Sequence, residues 1–189
     1  PGAGAQAVVG QEAGVDLHRL SIQTFAEADV DVVVDGKIDE SLWQTLPYYD
    51  NMLVSIPALV TPAEYATQIR IFATEKGLYV SSDMEQPPDS LVKRYSRRDD
   101  FINRDTFGVT IDASGEALVA YWFFIALGDS LSDGKVLPER RFQRDWDGPW
   151  LGKSAETDNG WSVEFFLPWS MMNMPCLLYT SDAADEVLG

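Results

Sequence analysis

Trp150-Leu151-Gly152-Lys153-Ser154-Ala155-Glu156-Thr157-Asp158-Asn159-Gly160-Trp161-Ser162-Val163-Glu164-Phe165-Phe166-Leu167 is the stretch on which the fold turns. Asn-Gly between two strand-forming runs is the strongest short-range hairpin signal, because a tight two-residue turn needs positive φ. The reading pairs Trp150–Thr157 with Trp161–Leu167 around Asp158-Asn159-Gly160. Outward from it lies Leu118–Leu127, the most apolar run, expected as a central strand, and Thr106–Ile111, expected as a strand followed by a loop at Ala113–Glu116. Tyr65–Ala73 alternates, with Ile69 and Ile71 on one face and Gln68 and Arg70 on the other. Gly77 breaks it and Leu78–Met84 returns, which predicts a second hairpin, ended by Pro87-Pro88.

The β-branched run Val30-Asp31-Val32-Val33-Val34 is expected as a strand opening the domain at Asp29. Asp35-Gly36 is a turn signal, and Asp39–Trp43 predicts one helical turn capped at its acidic start. Arg94–Arg104 is expected as a charged loop anchored by Phe101 and Ile102. Gly128–Asp145 is expected as a long polar segment with one short strand near Val136, and Pro168–Met172 as a helix start. Short strands with frequent turns and almost no helix predict an all-β fold, an antiparallel β-sandwich.

Composition narrows the function. The formal charge is −16, so nucleic-acid phosphates and anionic membrane surfaces are repelled. No apolar run reaches the ~18 residues of a membrane span. His18 is the single histidine and Cys176 the single cysteine, which excludes His-based triads, multi-His zinc sites and intrachain disulfides. Carboxylates are plentiful, but no pair stands out as a glycosidase pair, and no GxSxG, P-loop or dinucleotide fingerprint is present, so no catalytic residue is assigned.

Five segments carry a family likeness through their order and spacing: Asp35-Gly36-Lys37-Ile38-Asp39-Glu40-Ser41-Leu42-Trp43; Arg98-Asp99-Asp100-Phe101; Asp105-Thr106-Phe107-Gly108-Val109-Thr110-Ile111-Asp112; Trp146-Asp147-Gly148-Pro149-Trp150; and Gly160–Pro168. Together, over Val30 to Met172, they resemble the family 9 carbohydrate-binding modules, in the branch that forms the N-terminal domain of bacterial envelope proteins with a C-terminal barrel-like region. The resemblance implies a jelly-roll-like sandwich that binds a saccharide and performs no chemistry. It also implies a periplasmic, outer-membrane-associated or extracellular setting, a role in carbohydrate catabolism, and a following domain of the same chain as neighbour. The alternative is a structural domain that packs on an outer-membrane barrel and binds no sugar.

Trp146 and Trp150 are the first ligand-binding candidates. They are four residues apart around Gly148-Pro149, expected as a tight turn, and an exposed indole stacks on the C–H face of a pyranose. The competing reading has one Trp capping the core and the other covering the loop. Arg98 and Asp100 are the second pair, since a guanidinium fork and a carboxylate read hydroxyls well. The competing reading is an internal ion-pair network. In the resembled family an Arg orients the sugar between Trp planes, and Arg98 is the matching position. Trp43 reads as core rather than platform, and Tyr121–Phe124 as core or concave-face lining.

No cofactor is expected. Asp35, Asp39 and Glu40 read as a capped turn with solvated acids, although the resembled modules carry structural calcium in places. Residues 1–28 are expected as a flexible lead-in, 29–174 as the module, and 175–189 as a tail outside it. Cys176–Glu186 resembles translated adapter sequence, the alternative being a genuine acidic tail. On that reading the module is truncated at its C-terminus.

Overall fold

The computed structural model describes residues 22–57, 61–116 and 118–173. His18, Cys176 and the expected tail at 175–189 lie outside them, as does most of the expected lead-in.

Two sheets face each other. The larger has the order β1-β2-β3-β9-β8 and the smaller β4-β5-β6-β7. The elements are β1 (Gln23–Thr24), α1 (Ser41–Thr45), β2 (Thr67–Ala73), β3 (Gly77–Glu85), β4 (Thr106–Ile111), β5 (Ala120–Ala126), β6 (Leu131–Leu137), β7 (Arg141–Gln143), β8 (Leu151–Thr157) and β9 (Gly160–Pro168). Every pairing is antiparallel except β1 on β2. The expected hairpins are present in register: Ile71 opposite Val80 in β2–β3, and Thr157 opposite Gly160 in β8–β9. β5 lies inside the small sheet, between β4 and β6.

The period-two alternation of β9 builds two separate cores. Trp161, Val163, Phe165 and Leu167 point between the sheets, where they meet Leu78 and Val80 of β3 and Phe107, Tyr121, Phe123 and Ile125 of the small sheet. On the other face of the large sheet, Trp43, Leu46, Phe72 and Tyr79 form a second core, with Phe166, Val30 and Val32 against it. Phe72 and Tyr79 stack at 4.6 Å with rings 6° from parallel, and Trp43 packs on Phe72 at 5.0 Å. Trp43 is fully buried, as core, and covers this face of the sheet.

The structure departs from the sequence expectations in several places. Residues 30–34 keep their alternation, with Val30 and Val32 turned to the second core, but belong to no sheet. Side chains satisfy the backbone here: Val33 N donates to Glu40 Oε1 (2.8 Å), and Asp35 and Gly36 N both donate to Glu164 Oε2 (2.9 Å each). The first strand is instead Gln23–Thr24, inside the expected lead-in. Helix α1 forms without an acidic side-chain cap, because Glu40 is occupied by Val33. The strand expected near Val136 runs the whole of Leu131–Leu137, and β7 follows it. Its polar residues Ser132 and Asp133 looked like loop but are buried. Pro168–Met172 yields a single 3-10 turn, Trp169–Met171. Ile102 is exposed, while Phe101, itself half exposed, rests edge-on against the buried Trp122 at 5.9 Å with the Arg144 guanidinium 4.0 Å over its ring. Polar bonds hold that loop: Arg104 Nη1 donates to Ser96 Oγ (2.7 Å) and Asp99 N to Leu131 O (3.1 Å). Among the described residues, no helix is long and apolar enough to cross a membrane.

Candidate functional site

The candidate site sits where the 94–104 loop meets the strap 144–150 that leads into β8. The strap contains no tight turn at Gly148-Pro149, contrary to the sequence expectation; it runs without regular structure across the sandwich. A buried carboxylate holds it there. Asp133, in β6, has no exposed surface and accepts Gly148 N at Oδ2 (2.6 Å) and Arg98 Nη2 at Oδ1 (2.5 Å). Arg98 Nη2 also donates to Gly148 O (3.2 Å) and Arg98 Nε to Asp147 Oδ1 (3.1 Å). Asp99, at φ 63°, turns its Oδ1 to accept Asp133 N (3.0 Å). Arg98 is therefore the centre of a clamp that ties the loop and the strap to β6, the ion-pair reading of that motif. Burial pushes the Asp133 carboxyl above its ordinary range, against the opposing pull of Gly148 N–H and Arg98.

The sequence-derived site residues separate in the structure. Trp150 is 4% exposed and lies in the inter-sheet core, stacked on Phe165 at 5.4 Å and edge-on to Phe123 at 5.5 Å. It cannot present a face to a sugar, which corrects its reading as a platform: a large indole at a strand start is more stable between the sheets than in water. Trp146 is partly buried, tilted against Tyr121 at 4.9 Å, and Gly148 lies so close to its ring that a Cβ there would approach to 2.7 Å. Lys135 Nζ stands 5.5 Å from the centroids of both Tyr121 and Trp146. Asp100 is exposed. Its backbone carbonyl holds the loop by accepting Arg104 Nη2 (3.1 Å).

Two residues that matter here were not picked out in the sequence. Asp133 was hidden in a polar stretch; its strand neighbours Leu131 and Val136 were the available signal. Glu164 was quoted only as part of a motif, yet an acid flanked by Val163 and Phe165 in a hairpin strand is itself a sign of a buried hydrogen-bonding hub. It accepts Trp43 Nε1 at Oε1 (2.8 Å) besides the two backbone N–H groups at Oε2.

For a cation, one described set of carboxylates comes close together: oxygens of Asp99, Asp133 and Asp147 lie within 4.8 Å of one another. The Arg98 guanidinium already supplies positive charge among them. At the calcium candidate, Asp35 Oδ1 accepts Lys37 N (2.9 Å) and Glu40 Oε1 accepts Val33 N, so both carboxylates serve the backbone.

Set beside solved structures, the architecture matches a family 9 carbohydrate-binding module from Caldicellulosiruptor kristjanssonii in complex with cellotriose, at 11% identity and a TM-score of 0.56, over 78% of this chain and 66% of that one. The fold is that of the family 9 modules. A candidate carbohydrate-binding protein from Bacteroides uniformis matches at 13% identity and a TM-score of 0.61, over 80% of this chain and 73% of that one. A C. kristjanssonii family 9 module in complex with glucose matches at 13% identity and 0.51, over 79% and 68%. The chain thus spans about two thirds of the family 9 modules it resembles in shape. No protein-family model and no curated protein matches the sequence.

Proposed function

We propose that this chain is a non-catalytic saccharide-binding module. The observation that carries the reading is the sandwich fold it has in common with family 9 modules whose structures hold cellotriose and glucose. The proposed contact surface is the water-facing side of the Arg98 clamp. Arg98 Nη1 donates to nothing among the described residues, Asp147 has a side chain 69% exposed, and Asp100 is exposed. Trp146 and Lys135 lie beside them, joined through Asp147 and Gly148. Sugar hydroxyls both donate and accept, so a free guanidinium N–H beside the exposed Asp147 carboxylate suits them. On this reading the parent protein belongs to the cell envelope or is secreted, acts in carbohydrate catabolism, and places a further domain after this one.

Titration calorimetry of the 189-residue chain with glucose and cellotriose tests the reading. Binding is expected for the wild type, weakened about tenfold or more by Trp146→Ala. A folded wild-type protein that is blank for both sugars and on a glycan array would remove the reading.

A second reading, an interaction domain with no sugar ligand, is favoured by one observation. The outer face of the small sheet carries exposed aromatic surface. Phe101 packs on Trp122 at 5.9 Å while remaining exposed, and the exposed Phe142 opposes Val136 on the same face. A blank sugar titration together with capture of a following domain of the parent chain would support it.

A further inference from the structure

We propose a second saccharide groove at the opposite end of the large sheet from the Arg98 clamp, selective for uncharged pyranoses. The inference rests on the saccharide-binding reading. The groove lies where β3 leaves the sheet and the β8–β9 hairpin turns. It is an open, shallow depression of about 360 Å³ lined by Tyr65, Asp158 and Asn159 together with Glu85, Gln86 and a proline pair. Small-molecule sites begin at about 300 Å³, so the space suits one or two sugar rings.

The floor is built without a ligand. Gln86 N donates to Asn159 O (2.9 Å), and Gly160 is packed so tightly on Met84 that a Cβ there would lie 2.0 Å from its carbonyl oxygen. The Gln86 side-chain amide donates to Asp105 Oδ2 (3.1 Å) and Ser90 O (3.2 Å), which fixes its orientation and leaves Oε1 as an acceptor. Pro87 and Pro88 stiffen the chain as it enters a 3-10 turn.

The walls carry the recognition chemistry. Tyr65 is 42% exposed and offers an aromatic face. Its phenol O–H is engaged by Glu64, which with nearby Asp89 pushes the phenol above its ordinary range, so Tyr65 contributes its ring rather than its hydroxyl. The side chains of Glu85, Asp158 and Asn159 make no hydrogen bond among the described residues. An exposed ring, an amide with two donors and one acceptor, and two acceptor carboxylates thus line one depression, which is the mixture a polyol needs. Among the described residues no Lys, Arg or His lines the groove, and its two carboxylates repel an acidic sugar. β8 spans seven residues between the two sites, so they stand about 20 Å apart, too far for one monosaccharide to touch both.

The test is a titration of the ¹⁵N-labelled 189-residue chain, followed by nuclear magnetic resonance, with glucose, cellotriose and glucuronic acid in turn. The expected result is a saturable shift of the Gln86 and Asn159 side-chain amides and the Tyr65 backbone amide with glucose and cellotriose, at least tenfold weaker with glucuronic acid. Tyr65→Ala should weaken these shifts about tenfold and leave those around Arg98 and Trp146 unchanged. Glu85→Ala, at an exposed side chain, is a second variant with the same expected direction should Tyr65→Ala fold poorly. Shifts confined to the Arg98 region, or groove shifts that survive both variants, overturn the second groove while leaving the saccharide reading standing. Shifts nowhere, with either neutral sugar, remove both.

Discussion

Glu164 and Asp133 are both fully buried carboxylates, one on each sheet, and they are satisfied by different means. Glu164 is held by neutral donors alone: two backbone N–H groups and the Trp43 indole. Asp133 has one backbone N–H and a guanidinium whose other side reaches water. The first arrangement stitches the N-terminal segment to the outer face of the large sheet and offers nothing to a ligand. The second fixes two loops and still leaves Arg98 Nη1 and Asp147 outward. A buried acid among neutral donors serves structure; a buried acid paired with a half-exposed cation can support a surface that binds.

The comparison can be broken most forcefully at Trp43. Trp43→Ala removes a fully buried indole and takes a donor from Glu164, and is expected to cost about 3–5 kcal/mol. Urea denaturation measures it, and an unchanged midpoint would mean that the second core is not part of the cooperative unit.

The two carboxylates also differ in their response to pH. Burial pushes the Glu164 carboxyl up from 4.5 to about 7, its three donors pulling the other way. Between those values the native state binds more protons than the unfolded chain. Stability is therefore full below about 4.5 and is lost as pH rises through about 7, by on the order of 3 kcal/mol. Glu164→Gln should be less stable overall yet flatter between pH 5 and 8. If both proteins show the same slope over that window, Glu164 does not titrate there.

At the clamp, effects are smaller and graded by exposure. Arg98→Ala leaves Asp133 buried without its cation and is expected to cost about 2–3 kcal/mol, below the usual figure for a broken buried pair because Arg98 is partly in water. Asp147→Ala removes an exposed partner and should cost less than ~1 kcal/mol. A thermal melt that ranks the two variants in the reverse order would mean that Asp147, not Asp133, holds the strap.

Much of the fold was legible because hairpins announce themselves locally. The Asp158-Asn159-Gly160 turn, the Ile69/Ile71 alternation and the apolar run that became β5 all lie in short windows, and the residues that set each are neighbours in the chain. Trp43 was legible as core for the same reason. Residues 30–34 were not: their alternation is real, but whether such a segment pairs depends on a distant acceptor, here Glu164. β6 was legible only as a short strand near Val136, because burial of Asp133 depends on Arg98, 35 positions away.

The sequence by itself determined the all-β architecture, the hairpin registers and the identity of the side chains available for a site, since these follow from local propensity and period-two patterning. Tertiary structure alone decided which of two tryptophans four residues apart is buried, that Arg98 is a clamp before it is anything else, and that Tyr65 and Asn159 line one groove. Those outcomes rest on contacts between residues far apart in the chain, whose free energies depend on which groups end up beside one another and out of water.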